Sequence, residues 1–367
     1  MNSLMPEPRS AGALSKRRAQ QPWPADREFR ILSIDGGGIK GIFPASVLAE
    51  LEERYLTGGS VADHFDLITG TSTGGIVALG LSIGLPARDI ANLYVERGAE
   101  LFPPYPSNWF GRLRQRWDGA RNLFYNRYDK SALARLLDET FGQRLFGHAK
   151  CRLCIPSIDG RHGNVYIFKT PHHPDYVKDQ HERMTTVASA TSAAPTYFKP
   201  LESGGYRFVD GGLWANNPLM VGLVDALACF EVDRHKVRIL SLGCGDEPYT
   251  VSDRMIERGG LLSWRTAIDA AIAFQSESAL GQARLLIGAE RLLRIAPTTF
   301  NPPIKLDDWA AARSKLPGEA VAAVDANGDF IRRAFLDRDL GQAEMAEPVR
   351  RALLRAGPAA TPCVFGF

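Results

Sequence analysis

The feature that most constrains this chain is a unit that occurs twice early in its sequence: an apolar run, a glycine-rich turn, then apolar residues at helical spacing. In the first copy Phe29-Arg-Ile-Leu-Ser-Ile-Asp35 runs into Gly36-Gly37-Gly38, and Val47, Leu48, Leu51 and Tyr55 mark a helix over 42–55. In the second, Phe65-Asp-Leu-Ile-Thr69 is followed by Gly70-Thr71-Ser72-Thr73-Gly74 and an apolar helix over 75–83. Each copy reads as strand, turn, helix. Their repetition predicts an α/β chain with three layers, α/β/α, around a mostly parallel central sheet.

Further strands are predicted over 152–158, 165–169, 206–210 and 237–243, with helices over 87–101, 130–141 and 219–230. Beyond Gly245 the pattern turns helical, with a long helix over 261–287, a short strand over 291–295 and helical segments past Leu306. Residues 28–245 are therefore expected to form the core, and 246–367 a mainly helical C-terminal extension packed on it. Residues 1–27, rich in Ala, Pro and Arg with Lys16-Arg17-Arg18 and no apolar stretch behind them, are expected to be a disordered tail rather than a signal peptide.

Composition narrows the partners. Of 367 residues 45% are hydrophobic, enough for a large core, and 44 basic against 41 acidic residues is too even a balance to hold a nucleic-acid polymer. The longest apolar stretch, Ile76 to Leu85, is far short of a membrane span. Any membrane contact is then peripheral, and an odd set of 5 cysteines suggests reduced thiols in the cytoplasm. Cys151-Arg-Leu-Cys154 has paired spacing but falls on a predicted strand, with no second pair or His partner at ligand spacing, so no metal is expected.

Three motifs carry chemistry. Gly70-Thr-Ser72-Thr-Gly74 matches G-x-S-x-G between a strand and a helix, the context in which a sharp turn lifts a serine hydroxyl clear of the sheet. Taken alone it could equally be a helix-capping turn. Gly36-x-Gly38-x-x-Gly41 fits a dinucleotide fingerprint, yet Asp35 would repel a pyrophosphate and no acidic ribose partner follows. As backbone donors, the same glycines could hold the negative charge that develops when Ser72 attacks a carbonyl. This second reading accounts for more of the residues. Tyr206-Arg-Phe-Val-Asp210-Gly211-Gly212 ends another predicted strand and offers Asp210 as a base, its glycines freeing the backbone to turn at once.

Together these motifs resemble the patatin-like phospholipases, acyl hydrolases with a Ser-Asp dyad. The family's glycine-rich oxyanion motif, serine turn and DGG base motif match Asp35–Gly41, Gly70–Gly74 and Asp210–Gly212 in that order. Ala188-Ser-Ala-Thr-Ser-Ala-Ala-Pro195 and Trp214-Ala-Asn-Asn-Pro218 are similar to further signatures of the family. The resemblance implies a patatin-like fold and phospholipid substrates. It makes Ser72 the nucleophile, Asp210 the base, and Gly37 and Gly38 the oxyanion donors, supported by Gly36, Gly70, Gly74, Gly211 and Gly212. It also implies that neither a metal nor an organic cofactor is needed. Lys40 departs from the family, which usually has Arg there.

The rival mechanism is a Ser-His-Asp triad using His235, which sits in a polar Asp-Arg-His-Lys stretch; a binding module without chemistry is the non-enzymatic alternative. His172 and His173 fall in a loop where substrate contact is conceivable. Between Leu101 and Tyr128, Trp109, Phe110 and Trp117 alternate with Arg112, Arg114 and Arg116, a mixture suited to a membrane interface or a phosphate ligand. The chain is also similar to bacterial patatin-like effectors of antiphage signalling. That resemblance implies a cyclic dinucleotide activator, an antiviral role, assembly into a homo-oligomer, and action at the inner face of the membrane.

Overall fold

The computed structural model describes residues 18–103, 130–195, 197–245 and 267–337. Strand β1 (Phe29–Ile34) is almost wholly buried, as an apolar run in a covered parallel sheet must be. It lies between β2 (Leu67–Gly70) and β7 (Val237–Leu242), parallel to both, and β8 (Leu292–Ile295) extends the sheet parallel to β7. On the other side β3 (Leu153–Asp159) begins parallel to β2, then pairs antiparallel with β4 (Asn164–Lys169) and β6 (Tyr206–Asp210), to which β5 (Leu201–Ser203) adds.

Helices cover both faces. One core contains α1 (Ile42–Tyr55), α2 (Thr73–Ser82), α3 (Ala87–Leu101), α4 (Lys130–Phe141), α5 (Met184–Thr191) and, from the C-terminal part, α9 (Trp309–Ile331). Beyond the short α6 (Gly212–Ala215), the opposite core is built from α7 (Leu219–Cys229) and α8 (Ala267–Ile287). The sequence patterns thus predict the three layers and most elements. They miss α5 and β5: α5 reads Met-Thr-Thr-Val-Ala-Ser-Ala-Thr, whose Thr and Val weaken helical propensity, and tertiary packing overrides it. Among the described residues no helix is long and apolar enough to cross a membrane.

Residues 18–27, expected to belong to the tail, are instead docked. Trp23 packs on Phe29 and Phe230, Gln21 bridges to Phe230, and Arg27 pairs with the buried Asp66 at 2.5 Å. The remainder of that tail, the start of the predicted 261–287 helix, Cys363 and all of the aromatic and basic segment past residue 103 lie outside the described residues.

Because β1 is central and its side chains are enclosed by helices, truncating Leu32 to Ala is expected to cost about 2–5 kcal/mol in urea unfolding.

Candidate active site

The parallel register aligns Ile34 with Gly70, so the turns leaving β1 and β2 emerge side by side. Ser72 caps α2 with φ 54 and ψ −120, a left-handed conformation that a non-glycine residue holds only under tertiary constraint. The constraint is visible. The Ser72 amide donates to Thr191 Oγ1 at 3.0 Å, and that hydroxyl donates to the Pro156 carbonyl at 2.6 Å. Thr71 is tied to the Ala215 carbonyl at 2.5 Å, and Thr73 to the Gly38 carbonyl at 2.8 Å. The turn therefore presents Ser72 above the positive end of α2.

The glycines fit this crowding. A side chain at Gly70 would strike the Gly74 backbone, and one at Gly74 would strike the carbonyls of Ile34 and Asp35. Gly36 comes closest to Ser72: a Cβ placed there would lie 3.3 Å from the serine Cβ and 2.5 Å from Asn216 Oδ1. Gly37 packs on Cys244, and Gly38, with φ +55, turns against the Leu306 carbonyl. Among the described residues neither the Gly37 nor the Gly38 N–H donates a hydrogen bond, whereas the Gly36 amide is used by the Asn216 carbonyl at 3.0 Å.

Asp210 reaches the same place from the opposite direction. β6 runs antiparallel to β3, with Asp210 beside Ser157, so the strand descends toward Ser72 from beyond the carboxyl edge. The backbone then turns at Gly211, which abuts the Pro156 carbonyl, and the Gly212 amide donates to Asp210 Oδ1 at 2.7 Å. The Ser72 side chain lies beside the Asp210 carboxyl, close enough to favour its ionised form. Burial drives the Asp210 pKa up to about 6, and the Gly212 amide and the neighbouring Ser72 side chain restrain the rise. Serine and aspartate thus lie side by side, flanked by backbone N–H groups, an arrangement suited to acyl transfer.

Two residues of this site carry no sequence signal of their own. Thr191 and Asn216 fall within the stretches that resemble family signatures, but only the fold shows what they hold: the Ser72 amide, and the junction of Gly36 with Gly212. Lys40, the departure from the family motif, donates to the Gly245 carbonyl at 2.7 Å and so fastens the glycine turn to the segment after β7.

The histidines lie elsewhere. His235 is exposed in the turn before β7, and since Phe29 aligns with Val237 and Ile34 with Leu242, it sits at the amino edge of the sheet. A strand of 6 residues at about 3.3 Å each separates it from the Ser72 edge by roughly 17–20 Å. His172, read from sequence as a loop residue with access to substrate, is instead buried: Nδ1 meets Thr170 at 2.8 Å and Nε2 meets Asp225 at 2.7 Å. His173 is also buried, its Nε2 against the Ala19 carbonyl at 2.9 Å.

Cys154, which the sequence leaves without a His partner, has His172 and Asp225 around it, ligand atoms within 4.8 Å of one another. Asp225 already accepts from the Lys169 ammonium and the Tyr176 hydroxyl; burial alone would raise its pKa, but the His172 imidazole and the Lys169 ammonium against it hold it far below the carboxylate range. Burial raises the Cys154 thiol well above its ordinary value. The cluster is a closed ionic network, with its donors and acceptors spent on one another.

A three-layer α/β fold with a strained serine turn, a glycine turn beside it and a buried aspartate next to the serine defines the class of hydrolase-like α/β proteins built for acyl chemistry. The chain belongs to the patatin-like phospholipase family, whose model matches residues 32–223. It is 39% identical over 241 residues to a cGAMP-activated phospholipase of Vibrio cholerae, covering 61% of this chain and 66% of that protein. Similar matches are the cGAMP-activated phospholipases of Escherichia coli (36% over 245 residues, 62% and 65%) and Pseudomonas aeruginosa (34% over 264 residues, 71% and 76%). The chain thus spans about two thirds of the length of the first two relatives.

If the Asp225 network is structural, Asp225→Ala strands Lys169 in a buried setting and should cost about 3–5 kcal/mol, read as a lowered thermal midpoint.

Proposed function

We propose that this protein hydrolyses acyl esters of membrane phospholipids through a Ser72–Asp210 dyad. A buried carboxylate placed beside the serine of the strained turn is the observation that carries this reading. Asp210 takes the Ser72 proton as the hydroxyl oxygen attacks the ester carbonyl. The resulting oxyanion is held by the N–H groups of Gly37 and Gly38 at the turn beside Ser72. Collapse breaks the ester bond, and Asp210 returns the proton to the departing lysolipid alcohol. Water, deprotonated by Asp210, then attacks the acyl-serine, releasing the fatty acid and restoring Ser72. No metal or organic cofactor takes part.

Mass spectrometry of phospholipid vesicles incubated with the protein tests both the reaction and its regiochemistry. Ser72→Ala and Asp210→Ala should each lower turnover by about three orders of magnitude or more. His235→Ala should match wild type, and loss of activity there with unchanged circular dichroism would replace the dyad by a triad.

The Asp210 carboxyl also sets the pH dependence. It serves as base only when ionised, so kcat/KM should rise with pH through about 6 and level off above it. Its pKa in the folded protein lies above the ordinary 3.8, so the native state binds more protons between those values, and stability falls as pH rises through that window. Asp210→Asn should therefore be inactive yet more stable at pH 7, by about 1–3 kcal/mol in denaturant unfolding.

Regulation follows from the relatives, three of which are called cGAMP-activated. A phospholipase acting on its host's membrane needs restraint, and we infer a cytoplasmic enzyme in antiviral defence, nearly silent at rest. A cyclic dinucleotide would switch it on, with assembly into a homo-oligomer and contact with the inner face of the membrane. Esterase activity measured against a panel of cyclic di- and trinucleotides should rise at least about tenfold with one member. High basal activity unchanged by every member, with no binding by calorimetry, would leave an unregulated lipase.

A further inference from the structure

We propose that Arg294 is a positioning residue for the oxyanion turn, an inference that rests on the Ser72–Asp210 hydrolase reading. Asp35 is the last residue before Gly36-Gly37-Gly38, and its side chain is fully buried. Arg294, on β8, grips it with both guanidinium nitrogens: Nη1 to Oδ1 at 2.9 Å and Nη2 to Oδ2 at 2.6 Å. In the sheet order β1-β7-β8 a single strand, β7, lies between them, so the guanidinium reaches across it. It is steered on the way, since Nη1 also donates to Ser241 Oγ on β7 at 2.9 Å. The passage is cut to fit. A Cβ at Gly243 would lie 2.5 Å from Arg294 Nη2 and 2.8 Å from its central carbon.

The backbone of Asp35 is where the parts of the site meet. Its N–H donates to the Leu242 carbonyl at 3.0 Å, its carbonyl accepts from Cys244 Sγ at 3.4 Å, and that carbonyl packs against Gly74 at the start of α2. Rotating or shifting the carboxylate would move the glycine turn relative to Ser72. A bidentate, planar contact resists both motions, which the point charge of a lysine cannot do. A buried ion pair of this kind gives little net stability against an apolar replacement, so its fixed geometry is the more telling property. Ser241, Gly243 and Arg294 all lie beyond residues 32–223, the span of the family match, so chain outside that span holds the donors inside it.

The test is Arg294→Lys in the full chain, assayed well below its thermal midpoint, with and without the panel of cyclic di- and trinucleotides, on a soluble ester and by the rate of Ser72 labelling with a fluorophosphonate. Positioning predicts that kcat and labelling each fall at least about tenfold while KM shifts less than about twofold, because donors that stabilise only the developing oxyanion are displaced. Arg238→Lys is the control. It loosens a comparable pair with Glu28, at the amino end of β7, and should leave kcat within about twofold. Should Arg294→Lys not fold, Ser241→Ala keeps both charges and removes only the hydroxyl beneath the guanidinium, with a loss in kcat of about threefold or more expected. Wild-type kcat and labelling in a folded Arg294→Lys or Ser241→Ala protein, or equal losses in Arg238→Lys, would overturn the inference. If the wild type showed no Ser72-dependent hydrolysis with any cyclic di- or trinucleotide present, the hydrolase reading and this inference would fall together. Hydrolysis that survives every Arg294 and Ser241 change while requiring Ser72 would remove the inference alone.

Discussion

The parallel pairing of β1 with β2 is the contact on which everything else depends. It fixes Ile34 beside Gly70, and so makes the chain leave the sheet twice at neighbouring points. Both exits must then fit in the same small volume, which only residues without side chains allow: Gly74 lies against the carbonyls of Ile34 and Asp35, and Gly36 against Ser72 and Asn216. A one-residue slip would exchange the β1 side chains between the two cores and separate the turns. The burial of β1 between helices on both faces is what prevents that slip.

Buried carboxylates are treated in two ways around this frame. Asp35 and Asp225 each face cations, Arg294 for the first and Lys169 for the second, and serve as fixed struts. Asp210 is also buried, but it meets the Gly212 amide and the Ser72 side chain, with no cation against it among the described residues. Burial without a compensating charge destabilises the ionised form, which is why this carboxyl titrates near the range where proton transfer is useful. The site trades stability for a base of suitable strength, and the same trade appears in the strained backbone of Ser72, restrained by Thr191.

The C-terminal part of the chain is bound into both layers and the sheet. β8 pairs with β7, α8 braces the segment after Asp210 through Gln275 and Asn217, and the Leu306 carbonyl receives the Ile39 amide beside Gly38. Residues far apart in sequence therefore converge on one turn. A change in this outer part can reach Ser72 through a short series of hydrogen bonds.

What the sequence by itself determined were the features written in local pattern. Apolar runs ending in glycines specify strand, turn and helix; G-x-S-x-G and Asp-Gly-Gly place Ser72 and Asp210 at strand ends, because the residues that make sharp turns are few and sterically distinct. Only the tertiary structure decided what depends on contacts distant in sequence. The direction of β6, the burial of His172 beside Asp225, the docking of residues 18–27 and the convergence of Thr191, Asn216 and Arg294 on the site are of this kind. A lone histidine, threonine or arginine reads the same in a solvated loop as in a packed core, since its partners, and hence its charge and role, are set by which strands become neighbours.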